Sequence, residues 1–278
     1  MKAVTIDNLC IQEEGPLTVI SGPCVVENEE HTLRCAEYLV SLFERRQIQF
    51  IFKASYDKAN RSSIHSFRGI GLEKGLKLFE KIKKEFQVPI LTDVHTMEEA
   101  NLAASVCDIL QIPAFLSRQT DLVVEAGKTG AAVNLKKGQF MSPWEMKHVV
   151  EKLHSTGNEN ILLTERGTCF GYNNLISDMR SIPIMQQFGY PVFFDATHSV
   201  QLPGGLGDRS GGERQFIPTL ARAAIAAGCN GIFAESHPDP EKAKSDASTV
   251  LSFTELSHLL DEWEHLYNAL HLSCSNPI

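Results

Sequence analysis

Eight residues able to do chemistry each follow a short apolar run in this chain: Cys24, Lys53, Asp93, Gln111, Lys136, Arg166, His198 and Glu235. Any one of them alone reads as a solvated loop residue. A polar or ionisable group after every one of eight apolar runs reads instead as a set converging on one place. Unpaired Lys or Arg beside an apolar core is costly, so a bound anion that neutralises them is the expected occupant. Lys58, Asn60, Arg61 and Arg68 lie together in FKASYDKANRSSIHSFRG (52–69), and Arg118 follows further on. Arg supplies a two-pronged donor and Lys a compact charge, a combination suited to a small substrate bearing phosphate and carboxylate. Ser62 and Ser63 add hydroxyl donors for a second phosphate.

Cys24, His198, Glu235 and Asp246 form a second set, offering one sulfur, one nitrogen and carboxylate oxygens from separate segments. These donors suit a divalent ion such as Zn, Fe, Mn or Co. No local pattern such as HExxH joins them, so residue types alone favour the plainer reading of a buried thiol and a hydrogen-bonded imidazole. His31 and His148 read as exposed helix residues, and His237 as a group that orients Glu235. The run QLPGGLGDRSGGER (201–214) carries five glycines close to His198 and suits a lid that excludes water.

The apolar runs must position these groups. They are LTVIS (17–21), QFIFK (49–53), PILTD (89–93), DILQI (108–112), AAVNL (131–135), NILLT (160–164), PVFFD (191–195) and NGIFAE (230–235). Each has the length and continuous apolarity of a strand buried on both faces. Between them, segments such as HTLRCAEYLVSLFERR (31–46), LEKGLKLFEKIKKEF (72–86) and SPWEMKHVVEKLH (142–154) set apolar residues at helical spacing opposite charged ones. Strand followed by helix, eight times, predicts an α/β chain folded as a (β/α)8 TIM barrel with its chemistry at the C-terminal strand ends. A doubly wound open sheet competes, but the first turn reads Ser21-Gly22-Pro23-Cys24 rather than GxGxxG. Residues 1–16, with Asp7-Asn8 at their centre, predict a hairpin able to plug the N-terminal end of the barrel. SFTELSHLLDEWEHLYNALHL (252–272) closes the ring, 271–278 read as a loose tail, and all 278 residues form one domain.

Composition narrows the class. Hydrophobic residues make up 43% and charged residues 22%, as in a globular protein with a sizeable core. No run approaches the ~18 apolar residues of a membrane helix. MKAVTIDNLCIQEEG lacks the apolar stretch of a secretion signal, which points to the cytoplasm. A net charge of −8 argues against a nucleic-acid partner. Seven scattered cysteines without CxxC fit reduced thiols.

The motifs SGPC (21–24), FKASYDKANRSSIHSFRG (52–69), TDVH (92–95), LQIPAFLSRQTDL (110–122), NLKKGQF (134–140), FDATHS (194–199) and AESHPDP (234–240) together resemble the 3-deoxy-D-manno-octulosonate 8-phosphate synthases, essentially from end to end. KANRSS is the most specific, since the sister heptulosonate 7-phosphate synthases usually carry a KPRT-type motif there. The resemblance implies a barrel, usually tetrameric, that condenses phosphoenolpyruvate with D-arabinose 5-phosphate, releases phosphate and supplies lipopolysaccharide biosynthesis. It implies phosphoenolpyruvate on Lys53, Lys58, Gln111, Lys136 and Arg166, and arabinose 5-phosphate on Asn60, Arg61 and Ser62. Asp93 and Pro113–Phe115 would border the pocket, and Arg118 would reach across a subunit interface. The resemblance also splits at Cys24: metal-independent members have asparagine there, metal-dependent ones cysteine. Cysteine here, with His198, Glu235 and Asp246, implies a divalent metal and no organic cofactor. Lys53, Asp93, Lys136 and His198 are then the expected catalytic set. The alternatives are the sister activity on erythrose 4-phosphate, a barrel that only binds anions, and Schiff-base chemistry at Lys53 or Lys136.

Overall fold

The computed structural model describes residues 1–61, 63–205 and 210–274, with side chains through residue 271. Two strands, β1 (Val4–Ile6) and β2 (Leu9–Ile11), pair antiparallel around Asp7, whose φ of 51° suits a tight turn. Eight parallel strands follow: β3 (Thr18–Gly22), β4 (Gln49–Lys53), β5 (Ile90–Asp93), β6 (Ile109–Ile112), β7 (Ala132–Lys136), β8 (Ile161–Glu165), β9 (Val192–Asp195) and β10 (Gly231–His237). Each bonds to the next, and β10 pairs with both β9 and β3, so the sheet closes into a ring and the open-sheet alternative is excluded.

The helices on the outside are α1 (Glu29–Phe43), α2 (Leu72–Phe86), α3 (Met97–Ala103), α4 (Thr120–Lys128), α5 (Met146–His154), α6 (Ser181–Gln186), α7 (Ile217–Ala226) and α8 (Phe253–Cys274). Local chemistry sets their limits. The Asn28 side chain accepts the His31 N–H at 2.9 Å and opens α1 two residues before the apolar periodicity does. Gln87, left-handed at φ 53°, ends α2. At the strands, Gly231 is required by close packing: a Cβ there would lie 2.2 Å from the Phe193 ring.

The hairpin lies where the sequence predicts. Lys2 N–H donates to Gly189 O at 2.8 Å and the Gln49 amide to Cys10 O at 3.1 Å, so it covers the end where β4 and β9 begin. Tyr267 of α8 donates to Gly15 O at 3.1 Å and ties the last helix to the same end. The expected loose tail is corrected in part. With no Gly or Pro before Pro277 to stop it, α8 runs to Cys274, while residues 275–278 lie outside the described ones. Among the described residues no helix is long and apolar enough to cross a membrane.

Candidate active site

Parallel pairing puts all eight C-terminal strand ends on one rim, and a cavity of about 970 Å³ opens there. Small-molecule sites span roughly 300–1,000 Å³, so this one has room for two small substrates. Lys53, Lys58, Asn60, Arg61, Asp93, Gln111, Lys136, Arg166, His198, Glu235 and Asp246 all line it, as do Pro113, Ala114 and Phe115. Cys24 is buried directly against Asp246, its Sγ 3.0 Å from Oδ2. Arg118 is not brought in: its guanidinium is exposed at the rim, 3.9 Å from Glu145. Arg68 pairs with Asp57 instead of facing the cavity, its Nε 2.8 Å from Oδ1. Ser62 and part of the glycine-rich run, 206–209, lie outside the described residues; the rest of that run pairs as Gln201–Leu202 against Gly211–Gly212.

The cations are less naked than their sequence positions imply. Lys53 is ion-paired with Glu235, Lys136 with Asp195 at 2.5 Å, and Lys58 lies 3.5 Å from Asp93. No ligand is needed to balance these three, because the barrel supplies a carboxylate from the next strand or the next but one. Arg166 is different. Its Nη2 donates to the Gln201 carbonyl oxygen at 2.9 Å, while the buried Nη1 has no partner. Arg61 repeats the pattern, with Nε on Phe67 O at 3.1 Å and a buried, unpartnered Nη2. Two guanidinium groups, that of Arg166 buried and that of Arg61 half-buried, each with a buried nitrogen to spare, are fitted to receive anions.

Burial and charge divide the titrating groups. Burial pulls Lys136 below the usual lysine range despite the attraction of Asp195, and pulls Arg166 down likewise. Burial also opposes ionisation of Asp93, Asp195 and Glu235, yet neighbouring positive charges hold all three below the carboxylate range: Lys58 at Asp93, His198 and Lys136 at Asp195, Lys53 at Glu235. They are carboxylates, acting as acceptors.

The four sulfur, nitrogen and oxygen donors meet on one side of the cavity. One ligand atom each from Cys24, Glu235 and Asp246 lies within 4.8 Å of the others. His198 faces them, its Nε2 3.6 Å from Glu235 Oε2 and 3.9 Å from Asp246 Oδ2. Its Nδ1 lies 2.8 Å from Asp195 Oδ2; because Asp195 is ionised, Nδ1 carries a proton, and in the neutral ring, the form able to ligate an ion, Nε2 presents a lone pair. That lone pair looks at carboxylate oxygens, and Glu235 Oε2 is buried without a hydrogen-bond partner. Acceptors aimed at one another fit a cation between them. Burial, then the Glu235 charge, pushes the Cys24 thiol well up, so binding an ion there would release its proton. Asp246 is held at φ 50°, a conformation side chains rarely adopt and one found at functional sites.

Sequence reasoning passed over several residues of this rim. Asp195 ends β9 by the same rule that flagged its neighbours, but His198, three residues on, was taken for that strand. Gln201 bridges Arg166 and the Asp246 Oδ1, the latter at 2.9 Å. Lys137, fully buried, bonds to Met141 O at 3.2 Å, Gly167 O at 3.3 Å and Thr168 Oγ1 at 2.9 Å, so it ties the loop after β7 to the loop after β8. Beside Lys136 nothing in the sequence distinguishes the two roles. His237 does not orient Glu235: its Nε2 lies 3.3 Å from Glu27 Oε1 instead. His31 is half-buried against it, ring centroids 4.7 Å apart, whereas His148 is exposed as expected. Glu27, His31 and His237 are close enough to suggest a second metal site. The Asp239 N–H donates to His237 Nδ1 at 3.0 Å, however, which puts the neutral ring's proton on Nε2 and leaves a donor toward Glu27 rather than a ligand.

A family model described as the DAHP synthetase I family matches residues 3–271. The chain belongs to that family. A protein of Protochlamydia amoebophila named 2-dehydro-3-deoxyphosphooctonate aldolase is 57% identical over 97% of this chain and 98% of its own length. Proteins of the same name from Geotalea daltonii and Geobacter sulfurreducens are each 56% identical, over 94% and 93% of this chain and 96% and 95% of theirs.

Proposed function

We propose that this chain condenses phosphoenolpyruvate with D-arabinose 5-phosphate and water, giving 3-deoxy-D-manno-octulosonate 8-phosphate and inorganic phosphate. The near-full-length similarity to proteins named for that aldolase carries the reading; the paired guanidinium groups of Arg61 and Arg166 in one cavity support it. Carbon C3 of the enol forms a bond to the aldehyde C1, water adds at C2, and the resulting hemiketal phosphate collapses by C–O cleavage, expelling phosphate. Lys53, Lys136, Gln111 and Arg166 hold phosphoenolpyruvate and fix the face it presents, which removes orientational entropy from the barrier. Lys58 bridges the two halves, while Asn60, Arg61 and Ser62 take the phosphate of the aldose. Asp93, a carboxylate, borders the aldehyde end. Lys53, protonated against Glu235, is placed to donate to the oxygen that gains charge as the C–C bond forms.

Cys24, His198, Glu235 and Asp246 would hold a divalent ion, Zn, Fe, Mn or Co in type, which supplies electrophilic polarisation of a carbonyl oxygen when bound. In the proposed assembly, a tetramer, Phe115, Phe140, Trp144, Phe170 and Tyr172, exposed beyond β6 to β8, and the exposed Arg118 would supply contacts with further copies of the chain. The proposed setting is cytoplasmic, with lipopolysaccharide biosynthesis downstream.

The experiment is phosphate release by the purified, metal-supplemented chain with phosphoenolpyruvate and either aldose. Turnover preferring arabinose 5-phosphate is expected. Preference for erythrose 4-phosphate would move the chain to the sister activity, and no turnover with either would leave an anion-binding barrel. Borohydride should trap no substrate adduct, because Lys53 and Lys136 are engaged as ammonium groups with carboxylates; a trapped adduct would establish the Schiff-base route.

A further inference from the structure

TIM-barrel interiors are filled mainly by branched apolar side chains, yet here a polar row crosses four adjacent strands. Asp93 on β5 is the register partner of Gln111 on β6, and Gln111 that of Asn134 on β7. Thr164 on β8, the register partner of Lys136, reaches Asn134 on the diagonal and extends the row. All four are buried, Asn134 and Thr164 completely. Thr164 Oγ1 donates to Asn134 Oδ1 at 2.7 Å, Asn134 Nδ2 donates to Gln111 Oε1 at 2.8 Å, and Gln111 Nε2 donates to Asp93 Oδ1. Of the four, Gln111 and Asp93 line the cavity, and Asn134 and Thr164 do not.

The direction of this row is dictated from one end. Asp93 is ionised and can only accept. Gln111 must therefore turn its NH2 toward Asp93 and its carbonyl oxygen toward Asn134. Asn134 must then donate, which leaves its own oxygen facing Thr164, and Thr164 must give its hydroxyl proton. Turning any one amide over would set two donors or two acceptors against each other in a buried place, which costs free energy.

We propose that Thr164 and Asn134 are positioning residues for the reaction: they lock the side-chain amide of Gln111 in the orientation that keeps its NH2 toward Asp93 and the cavity. This rests on the reading of Gln111 as a phosphoenolpyruvate-binding group. Thr164→Val keeps the shape but removes the donor, so Asn134 Oδ1 loses its partner and the lock on Gln111 is released. Asn134→Asp turns a donor into an acceptor facing Gln111 Oε1 and drives the Gln111 amide to turn over.

The test is steady-state kinetics of the metal-loaded enzyme with both substrates, for Thr164→Val, Thr164→Ser, Asn134→Asp and Gln111→Met, each with its thermal midpoint. Thr164→Val is expected to raise the KM for phosphoenolpyruvate on the order of tenfold, the worth of about one buried hydrogen bond, with the KM for the aldose within about twofold. Asn134→Asp should do at least as much, and Thr164→Ser, which keeps the hydroxyl, should stay close to wild type. A wild-type KM in both Thr164→Val and Asn134→Asp overturns the inference. So does an equal defect in Thr164→Ser and Thr164→Val, since that is packing. If Gln111→Met itself leaves the KM unchanged, the assignment of Gln111 fails and the inference falls with it; a raised KM in Gln111→Met alone sinks only the inference.

Discussion

The Lys136–Asp195 pair offers the sharpest test of how this rim is held together. Its Nζ–Oδ2 distance is 2.5 Å, Lys136 is 5% exposed and Asp195 not at all. At an effective dielectric of about 20 the attraction across that distance is ~7 kcal/mol, most of it offset by taking both charges out of water. Asp195→Asn keeps the volume but leaves a buried ammonium against an amide, and should cost about 3–5 kcal/mol. Lys136→Met should cost less, because Asp195 keeps the His198 Nδ1–H at 2.8 Å, the His198 backbone N–H at 2.9 Å and the Thr197 hydroxyl at 3.2 Å. The double variant leaves no orphaned ammonium, so its loss should fall short of the summed single losses by about 2–3 kcal/mol. In a thermal scan of the metal-loaded chain, Asp195→Asn should lower the midpoint by roughly 10 °C. The double variant should recover part of that drop. Losses that add to within about 0.5 kcal/mol would show that the two charges do not depend on each other, and the account of buried cations given above would be wrong.

Further outcomes follow from other parts of the molecule. Chelation should abolish turnover and a divalent ion restore it; Cys24→Ala should fall to a few per cent of the bound metal by elemental analysis while Cys24→Asn retains some turnover without it, and full metal content in Cys24→Ala would remove the thiol from the ligand set. At Glu99 burial favours the neutral acid, but the His95 ring, the His95 N–H at 2.8 Å and the Tyr56 hydroxyl at 2.9 Å outweigh it and bring the carboxyl down to about 2. Its folded value lies below the unfolded one, so its contribution is complete above the ordinary range near 4.5 and disappears as the pH falls toward 2. Discounted for a half-exposed group, Glu99→Gln should cost about 1–2 kcal/mol at neutral pH and nothing near pH 2; a cost independent of pH would rule the mechanism out. Gly22→Ala would place a Cβ 2.0 Å from the Lys53 carbonyl oxygen, and it should disrupt both folding yield and activity, measured side by side with Gly130→Ala, which meets nothing within 4 Å.

Much of this architecture is legible in the letters. Runs such as QFIFK and PILTD are apolar without alternation, which only a strand covered on both faces requires, and their eightfold recurrence with helices between leaves few topologies. Ladder register then moves some ends by one residue, as in Ala132–Lys136 and Ile161–Glu165. Less legible are the partners. That Lys136 answers to Asp195, or Lys53 to Glu235, depends on which strands stand next but one to each other once the ring closes, and sequence distance says nothing of that. Lys137 and Lys136 are adjacent and identical in type, yet strand alternation sends one to the cavity and the other into the framework between two loops. His237 is two residues from Glu235 in sequence, yet its ring meets Glu27, a partner that sequence distance does not reveal.

The knot at Lys137 has an evolutionary reading. It welds the loops beyond β7 and β8 into one unit, and that unit carries Lys136 and Arg166, the half of the pocket assigned to the enol substrate. The loop beyond β4 is instead fastened to itself, by the Asp57–Gly69 bridge and the Arg68–Asp57 pair, and it carries Asn60 and Arg61, the half assigned to the sugar. On the proposed function, edits to one loop would therefore retune which aldose is accepted while the seat of the enol substrate stays as it is.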